Sequence, residues 1–283
     1  MKYILYNSKA NNSHGYESAK EVEKLLKDKD FKYVDMLEDF DYGKFWSSLS
    51  KEDEIIIAGG DGTLNYMVNH LSDEEIQKVR IDYFPTGTGN DFAADLEKKA
   101  GDLLEDIGKY LINLPTVTVK DKEYKFLNGV GYGIDGYCCE VGDELRLKST
   151  KEINYTAIAI KGLLFKFKPV KATVTIDGET KIHEKVWLTP CMNGRKYGGG
   201  MIPTPKQDRL KEPKTLSVMV YKTKSKLKAL MVFPKIFEGK HVEKEKVVTI
   251  LTGQNIHVSF DRPCALQVDG ETITGVTEYS ARV

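Results

Sequence analysis

An excess of charge of either sign is missing from this sequence: 42 basic and 42 acidic residues cancel across 283 positions. A nucleic-acid binder normally concentrates a basic excess on one face, so the balance argues against that class of partner. Cysteine is scarce. The four thiols, Cys138, Cys139, Cys191 and Cys264, offer no CxxC pair, and the adjacent two could bridge only with strain. That argues against a zinc ribbon or a dithiol redox site and for reduced thiols. Long apolar runs are missing too, since none reaches the 18 residues a bilayer-crossing helix needs. After Lys2 the first apolar run, Tyr3–Tyr6, stops at Asn7, too short for the core of a secretory signal. The expectation is a cytoplasmic protein, and a hydrophobic content of 41% supplies ample core.

Strand and helix signals alternate through the first 120 residues. Tyr3–Tyr6, Phe31–Met36, Glu54–Ala58 and Ile81–Phe84 read as strands, and the β-branched run at 54–58 suits a parallel sheet covered on both faces. Between them, Glu17–Lys29 and the segment from Thr63 carry apolar residues at helical spacing. Ser72-Asp73-Glu74-Glu75 has the spacing of a capping box. A further helix is expected over Asp102–Ile112. Beyond Val117, period-two alternation dominates, with strands expected at 116–120, 124–130, 170–176, 185–192, 216–221, 247–251, 256–260 and 265–268. Helices are expected over Tyr137–Lys148 and Ile153–Phe167. The domain boundary is placed near Lys120–Lys122, giving an α/β domain over 1–121 and a β-rich domain over 122–283.

Two glycine-rich turns carry chemistry. In the first, Gly59-Gly60-Asp61-Gly62-Thr63-Leu64-Asn65 leaves a buried strand and enters a helix. Missing Cβ atoms let a ligand approach the backbone, and a helix N-terminus carries roughly half a positive charge, so the turn suits phosphate. Asp61 would repel phosphate unless Mg²⁺ lies between them, as phosphoryl transfer requires. The second turn, Pro85-Thr86-Gly87-Thr88-Gly89-Asn90-Asp91-Phe92-Ala93, repeats the design after the next strand. Adjacent parallel strands would turn both toward one crevice. Neither is a GxxxxGK[ST] loop, and HRD and DFG motifs are absent.

GGDGTLN followed by PTGTGNDFA resembles the catalytic domain of the diacylglycerol kinase family, which includes bacterial lipid kinases and sphingosine and ceramide kinases. NAD kinases share the GGDGT. Further blocks agree in order: Asn128–Asp135, Asn193-Gly194 through Gly198–Met201, Pro234–His241, and Val268–Glu271. The resemblance implies a nucleotide-binding α/β domain, a β-rich sandwich-like domain after it, and an active site in the cleft between them. It implies that ATP is held by Gly59, Gly60, Asp61, Gly62, Thr63 and Asn65, by Thr86, Gly87, Thr88, Gly89, Asn90 and Asp91, and by Asn7 and Lys9 after the first strand. The chain departs from the family at Ser8 and Ala10-Asn11-Asn12, at Tyr66 in place of a Glu, and near Met36-Leu37, where a Thr is missing.

By the same resemblance Glu271 is the proton acceptor of the transfer, with Asp269 beside it and Asp61 at the nucleotide. Asp-Gly between strands is also an ordinary β-turn, and spacing alone favours the turn. Family members hold a structural Mg²⁺ in a loop of the second domain, which maps to Asp208 with the carbonyls of Pro205 and Leu210. Here Arg209 stands where the family has Gly, and Lys211–Thr215 reads as an insertion. The implied ligands are ATP, Mg²⁺ and a lipid alcohol, foremost diacylglycerol, with phosphatidylglycerol, a sphingoid base or NAD as alternative acceptors, a non-catalytic nucleotide-binding regulator as the alternative class, and a homodimer allowed. Ile153–Pro169 is amphipathic and flanked by Lys161, Lys166, Lys168 and Lys171; a second basic run, Lys222–Lys228, precedes Ala229–Phe233. Either could meet an anionic membrane surface, though core packing explains the apolar stripe equally well.

Overall fold

The computed structural model describes residues 1–10, 14–26, 30–37, 39–148 and 153–283. The chain divides into two compact units, Met1–Leu114 and Pro115–Val283.

In the first unit, β1 (Lys2–Tyr6), β2 (Phe31–Asp35), β3 (Glu54–Gly59) and β4 (Arg80–Pro85) form a parallel sheet in the order β2-β1-β3-β4. Ile55, Ile56 and Ile57 are buried, as a strand covered on both faces requires. Among the described residues this unit holds the α-helices α1 (Gly15–Lys20), α2 (Tyr42–Ser48), α3 (Asp61–Val68), α4 (Asp73–Gln77) and α5 (Asp91–Asp95). Leu64, Met67 and Val68 are the buried apolar residues of α3. Ser72 accepts from Glu75 N–H while the Glu75 carboxylate accepts from Ser72 N–H, so α4 begins with the expected capping box. The helix expected over 17–29 is shorter and tightens into a 3₁₀ turn at Glu21–Lys24; its end at 27–29 lies outside the described residues.

One expectation fails here. Residues 102–112 form no α-helix. Tyr83 and Leu104 exchange backbone hydrogen bonds at 2.8 Å and Ile107 N–H donates to Ile81, so 104–107 runs along the edge of β4 and only a 3₁₀ turn, Gly108–Tyr110, follows. Asp82 holds the turn by accepting from Asp106 N–H at 2.9 Å. An open sheet edge offers unpaired backbone groups, and they outbid the helical spacing of the side chains.

The second unit is built on β5 (Thr116–Val119), β6 (Lys122–Lys125), β7 (Gly129–Tyr132), β8 (Val170–Ile176), β9 (Glu179–Leu188), β10 (Cys191–Met192), β11 (Leu216–Lys222), β12 (Val248–Gly253), β13 (Asn255–Val268) and β14 (Glu271–Arg282). The hairpin β5–β6 joins this sheet through β14, so the junction between units precedes the hairpin. The two strands expected at 256–260 and 265–268 are one long strand. Its first half pairs with β8 and its last three residues with β7, which closes the path β13-β7-β10-β11-β9-β8 on itself. Register shifts between Ser259 and Cys264, around Pro263, let the strand change neighbours. A single apolar core fills the interior, with Trp187, Tyr132, Tyr221 and Tyr279 fully buried. Helices α6 (Ile134–Arg146), α7 (Tyr155–Lys161), which runs on into a π-helical turn at Gly162–Lys166, and α8 (Lys226–Val232) complete the unit. Among the described residues no helix is long and apolar enough to cross a membrane. The four thiols are free, and burial pushes those of Cys138 and Cys191 upward.

Candidate active site

The order β2-β1-β3-β4 places the point where the strand order reverses between β1 and β3, and ligands of open α/β sheets bind beyond the carboxyl ends of strands at such a point. The register aligns those ends: Tyr6 sits opposite Ala58, and Gly59 opposite Pro85. Asn7, Gly60 and Thr86 therefore follow at neighbouring strand ends. Asn7 folds its own loop, its Oδ1 accepting from Lys9 N–H at 2.9 Å, while Ser8 N–H donates to Asp35 at 3.0 Å. Lys9 is exposed; Asn11 and Asn12, two of the residues that depart from the family, lie outside the described residues.

The two glycine turns pack backbone against backbone. A Cβ on Gly87 would lie 2.7 Å from Gly60 Cα, and one on Gly59 would strike Thr63 Oγ1 at 2.5 Å, so neither position admits a side chain without movement. Thr86 N–H donates to Gly59 O at 2.9 Å. Asn90 takes a left-handed φ of 49° and its amide donates back to Gly87 O. Asp61 joins the turns. Its Oδ2 accepts from Asp91 N–H at 2.7 Å and its Oδ1 from Phe92 N–H at 3.0 Å. Asp61 is thus the anionic cap of α5, where the helix dipole favours it. Asn65 and Asp91 are buried, Thr63 and Thr86 are half-buried, and Gly62, Thr88 and Gly89 are exposed.

In the second unit, Val268 pairs with Glu271 across Asp269 and Gly270, whose φ values of +46° and +100° are the left-handed pair a type I′ hairpin turn needs. Asp-Gly is a turn, as spacing favoured, but a heavily anchored one. Asp269 Oδ1 accepts from Asn128 and Gly129 N–H, both at 2.9 Å, and its Oδ2 from Leu127 N–H at 2.5 Å. Those bonds take the amides that would otherwise continue the strand expected at 124–130, which explains its break into β6 and β7. Gln267 Oε1 accepts from Gly270 N–H at 2.6 Å, and Thr272 donates to Asp143 at 2.7 Å. Glu271 stands exposed at the head of β14.

Sequence reasoning missed the base of this hairpin. Asp135, in the first turn of α6, is buried and accepts from Gln267 Nε2 at 2.9 Å. It occupies space left by Gly131, whose Cβ would fall 1.6 Å from its Oδ2. Burial pushes its carboxyl up to about 6, opposed by the hydrogen bond from Gln267 and the nearby Tyr197 hydroxyl. The available signal was an acid inside a glycine-rich apolar run, Gly129–Gly136.

The loop assigned to Mg²⁺ does not fit a divalent ion. Asp208 is exposed, and its Oδ1 already accepts from Leu210 N–H at 2.9 Å. Residues 205–214 hold four basic side chains against two acidic ones. Among the described residues no cluster of three His, Cys, Asp or Glu could hold a metal.

A parallel α/β unit with two clasped glycine turns, followed by a closed β-rich unit, places the chain in the fold class of the diacylglycerol kinases. The model of the diacylglycerol kinase catalytic domain matches residues 2–117, and that of the YegS C-terminal NAD kinase beta sandwich-like domain matches residues 128–282. The chain belongs to the diacylglycerol kinase catalytic-domain family. It is 26% identical over 245 residues to "Putative lipid kinase YtlR" of Bacillus subtilis, spanning 80% of this chain and 75% of that protein. It is 26% identical over 232 residues to a diacylglycerol kinase of Mycobacterium tuberculosis, spanning 77% of this chain and 73% of that one. A Bacillus anthracis diacylglycerol kinase structure superposes with a TM-score of 0.64 at 19% identity, covering 99% of this chain and 93% of the other. That likeness concerns the fold.

Proposed function

We propose that the chain is an ATP-dependent lipid kinase that transfers the γ-phosphoryl group to a lipid hydroxyl, with diacylglycerol as acceptor and phosphatidic acid as product. The observation that carries this reading is the clasp of the two glycine turns at the carboxyl ends of β3 and β4. The N-cap of α3 is Gly60, which has no side chain to occupy the helix end, and the positive end of a helix dipole favours a polyphosphate. In this reading ATP lies against Gly59–Asn65 and Thr86–Asp91, with Asn7 and Lys9 at the β1 loop. Asp61 is a positioning residue that keeps both turns in register. Mg²⁺ bound with the nucleotide neutralises charge on the phosphates. Glu271 accepts the proton of the acceptor hydroxyl as its oxygen bonds to the γ-phosphorus and the bond to the ADP oxygen breaks. Asp269 positions Glu271 through the amides of Leu127, Asn128 and Gly129.

A surface of the second unit supports a lipid acceptor. Phe165, Leu227 and Met231 are 75%, 67% and 59% exposed. They lie on two touching elements, the π-helical turn and α8, tied by Lys226 Nζ donating to Leu164 O at 2.7 Å. No acid occurs in 153–176 or 222–237, whereas Lys161, Lys166, Lys168, Lys224, Lys226, Lys228 and Lys235 do. Ile158, Leu163 and Phe167 face the core instead, so core packing accounts for one side of this segment and leaves Phe165 on the other. Apolar tips among lysines match an anionic bilayer.

The test is γ-labelled ATP offered with a bacterial lipid extract and, in a parallel reaction, with NAD, products being separated by chromatography. A labelled spot with the mobility of phosphatidic acid is expected. A different labelled lipid, or labelled NADP, would reassign the acceptor, and no labelled product at all would sink the reading.

A further inference from the structure

The loop that fails as a metal site holds a cation of its own. Along 206–210 burial alternates: Lys206, Asp208 and Leu210 face solvent while Gln207 and Arg209 turn inward. Arg209 is 6% exposed, and a buried guanidinium persists only where acceptors surround it. Its Nη1 donates to Leu127 O and its Nη2 to Asn128 Oδ1, both at 3.3 Å. Asn193 Nδ2 donates to the same Leu127 carbonyl at 2.8 Å. Gln207 fixes the loop around this point, donating to Asn193 O and Thr215 O and accepting from Ser217 Oγ at 2.6 Å.

The other side of the same two residues is held by an anion. Asp269 takes the N–H groups of Leu127 and Asn128, while Arg209 takes the carbonyl of the first and the side chain of the second. Residues 127–128 are therefore strung between a buried cation and a half-buried carboxylate. Alternating charge and peptide dipoles reinforce one another where water is excluded.

We propose that Arg209 is the built-in cation of this loop, replacing a structural divalent ion, and that with Asp269 it seats the hairpin turn carrying Glu271. The covalent cation cannot dissociate, so the second unit keeps its shape in the absence of free Mg²⁺. The role assigned to Glu271 rests on the proposed function, but the seating does not, and it is measured without turnover.

The experiment is thermal unfolding of the full chain without nucleotide, in EDTA or in 10 mM MgCl₂, with magnesium titration calorimetry alongside. The two melting curves should superpose, and the calorimeter should detect no saturable site. A site with a Kd near 0.1 mM would raise the melting temperature by roughly 5–10 °C, and such a rise would overturn the proposal. Arg209→Ala should melt lower in both buffers without rescue by Mg²⁺, and Arg209→Lys should recover part of the loss. An Arg209→Ala protein as stable as the parent would equally refute it. If Arg209→Ala does not fold, the parent's indifference to Mg²⁺ and the Arg209→Lys comparison decide.

Discussion

Replacing Asp135 by asparagine should stabilise the protein at pH 8 and have no such effect at pH 4. The carboxyl is buried against Gly131 and rises from an ordinary value of 3.8 to about 6. In the unfolded chain it ionises near pH 4. The native state therefore keeps a proton that the unfolded state has released, and the associated stability is fully present below pH 4. It is lost as pH rises through about 6. Above that, the native state carries a buried charge whose penalty, from 3.8 to about 6 at 1.36 kcal/mol per pH unit, is about 3 kcal/mol. Asparagine keeps an oxygen able to accept from Gln267 Nε2 and cannot ionise. At 2–4 °C per kcal/mol for a unit of this size, Asp135→Asn should melt about 6–12 °C higher at pH 8. The gap should close by pH 4. Circular dichroism melts at half-unit steps from pH 4 to 8.5, at fixed ionic strength, measure this directly. A gap that stays constant with pH, or a variant less stable throughout, would show that the carboxyl is ionised and satisfied where it sits.

Glu271→Gln should lower phosphoryl transfer by at least ~10²-fold while ATP affinity by calorimetry stays within about twofold; parental turnover would remove Glu271 from the chemistry. Gly87→Ala pushes a methyl to within 2.7 Å of Gly60 Cα, so the turns must part. ATP affinity should fall at least about tenfold with a melting temperature only a few degrees lower, and unchanged affinity would mean the clasp is no phosphate cradle. The pair Phe165→Asp and Leu227→Asp should reduce sedimentation with phosphatidylglycerol vesicles about tenfold or more, and binding of the parent should weaken between 0.1 and 0.5 M salt. Binding indifferent to both would place the membrane contact elsewhere.

Local sequence carried much of the fold because the forces were local. Ile55–Ile57 could only be a covered strand, Ser72 and Glu75 could cap each other within one turn, and Asp269-Gly270 supplies its own left-handed pair. Helix α2 has a local start signal as well, since Asp41 accepts from Lys44 N–H at 2.9 Å as an N-cap should. The alternation of 271–282 forms β14. Residues 102–112 misled because their spacing was helical while their backbone was claimed by the edge of β4, a partner some twenty residues away.

The sequence by itself determined the family, the two glycine turns and the acids that accompany them, because each motif is a short run whose backbone needs are met within a few residues. Only the tertiary structure decided what those acids hold. Asp61 reaches thirty residues to cap α5, Asp269 reaches back some 140 to three amides, and Arg209 meets residues 127–128 from a loop beyond eighty. A carboxylate or guanidinium finds its partner by burial and geometry, and spacing along the chain carries no record of which backbone groups folding brings within 3 Å.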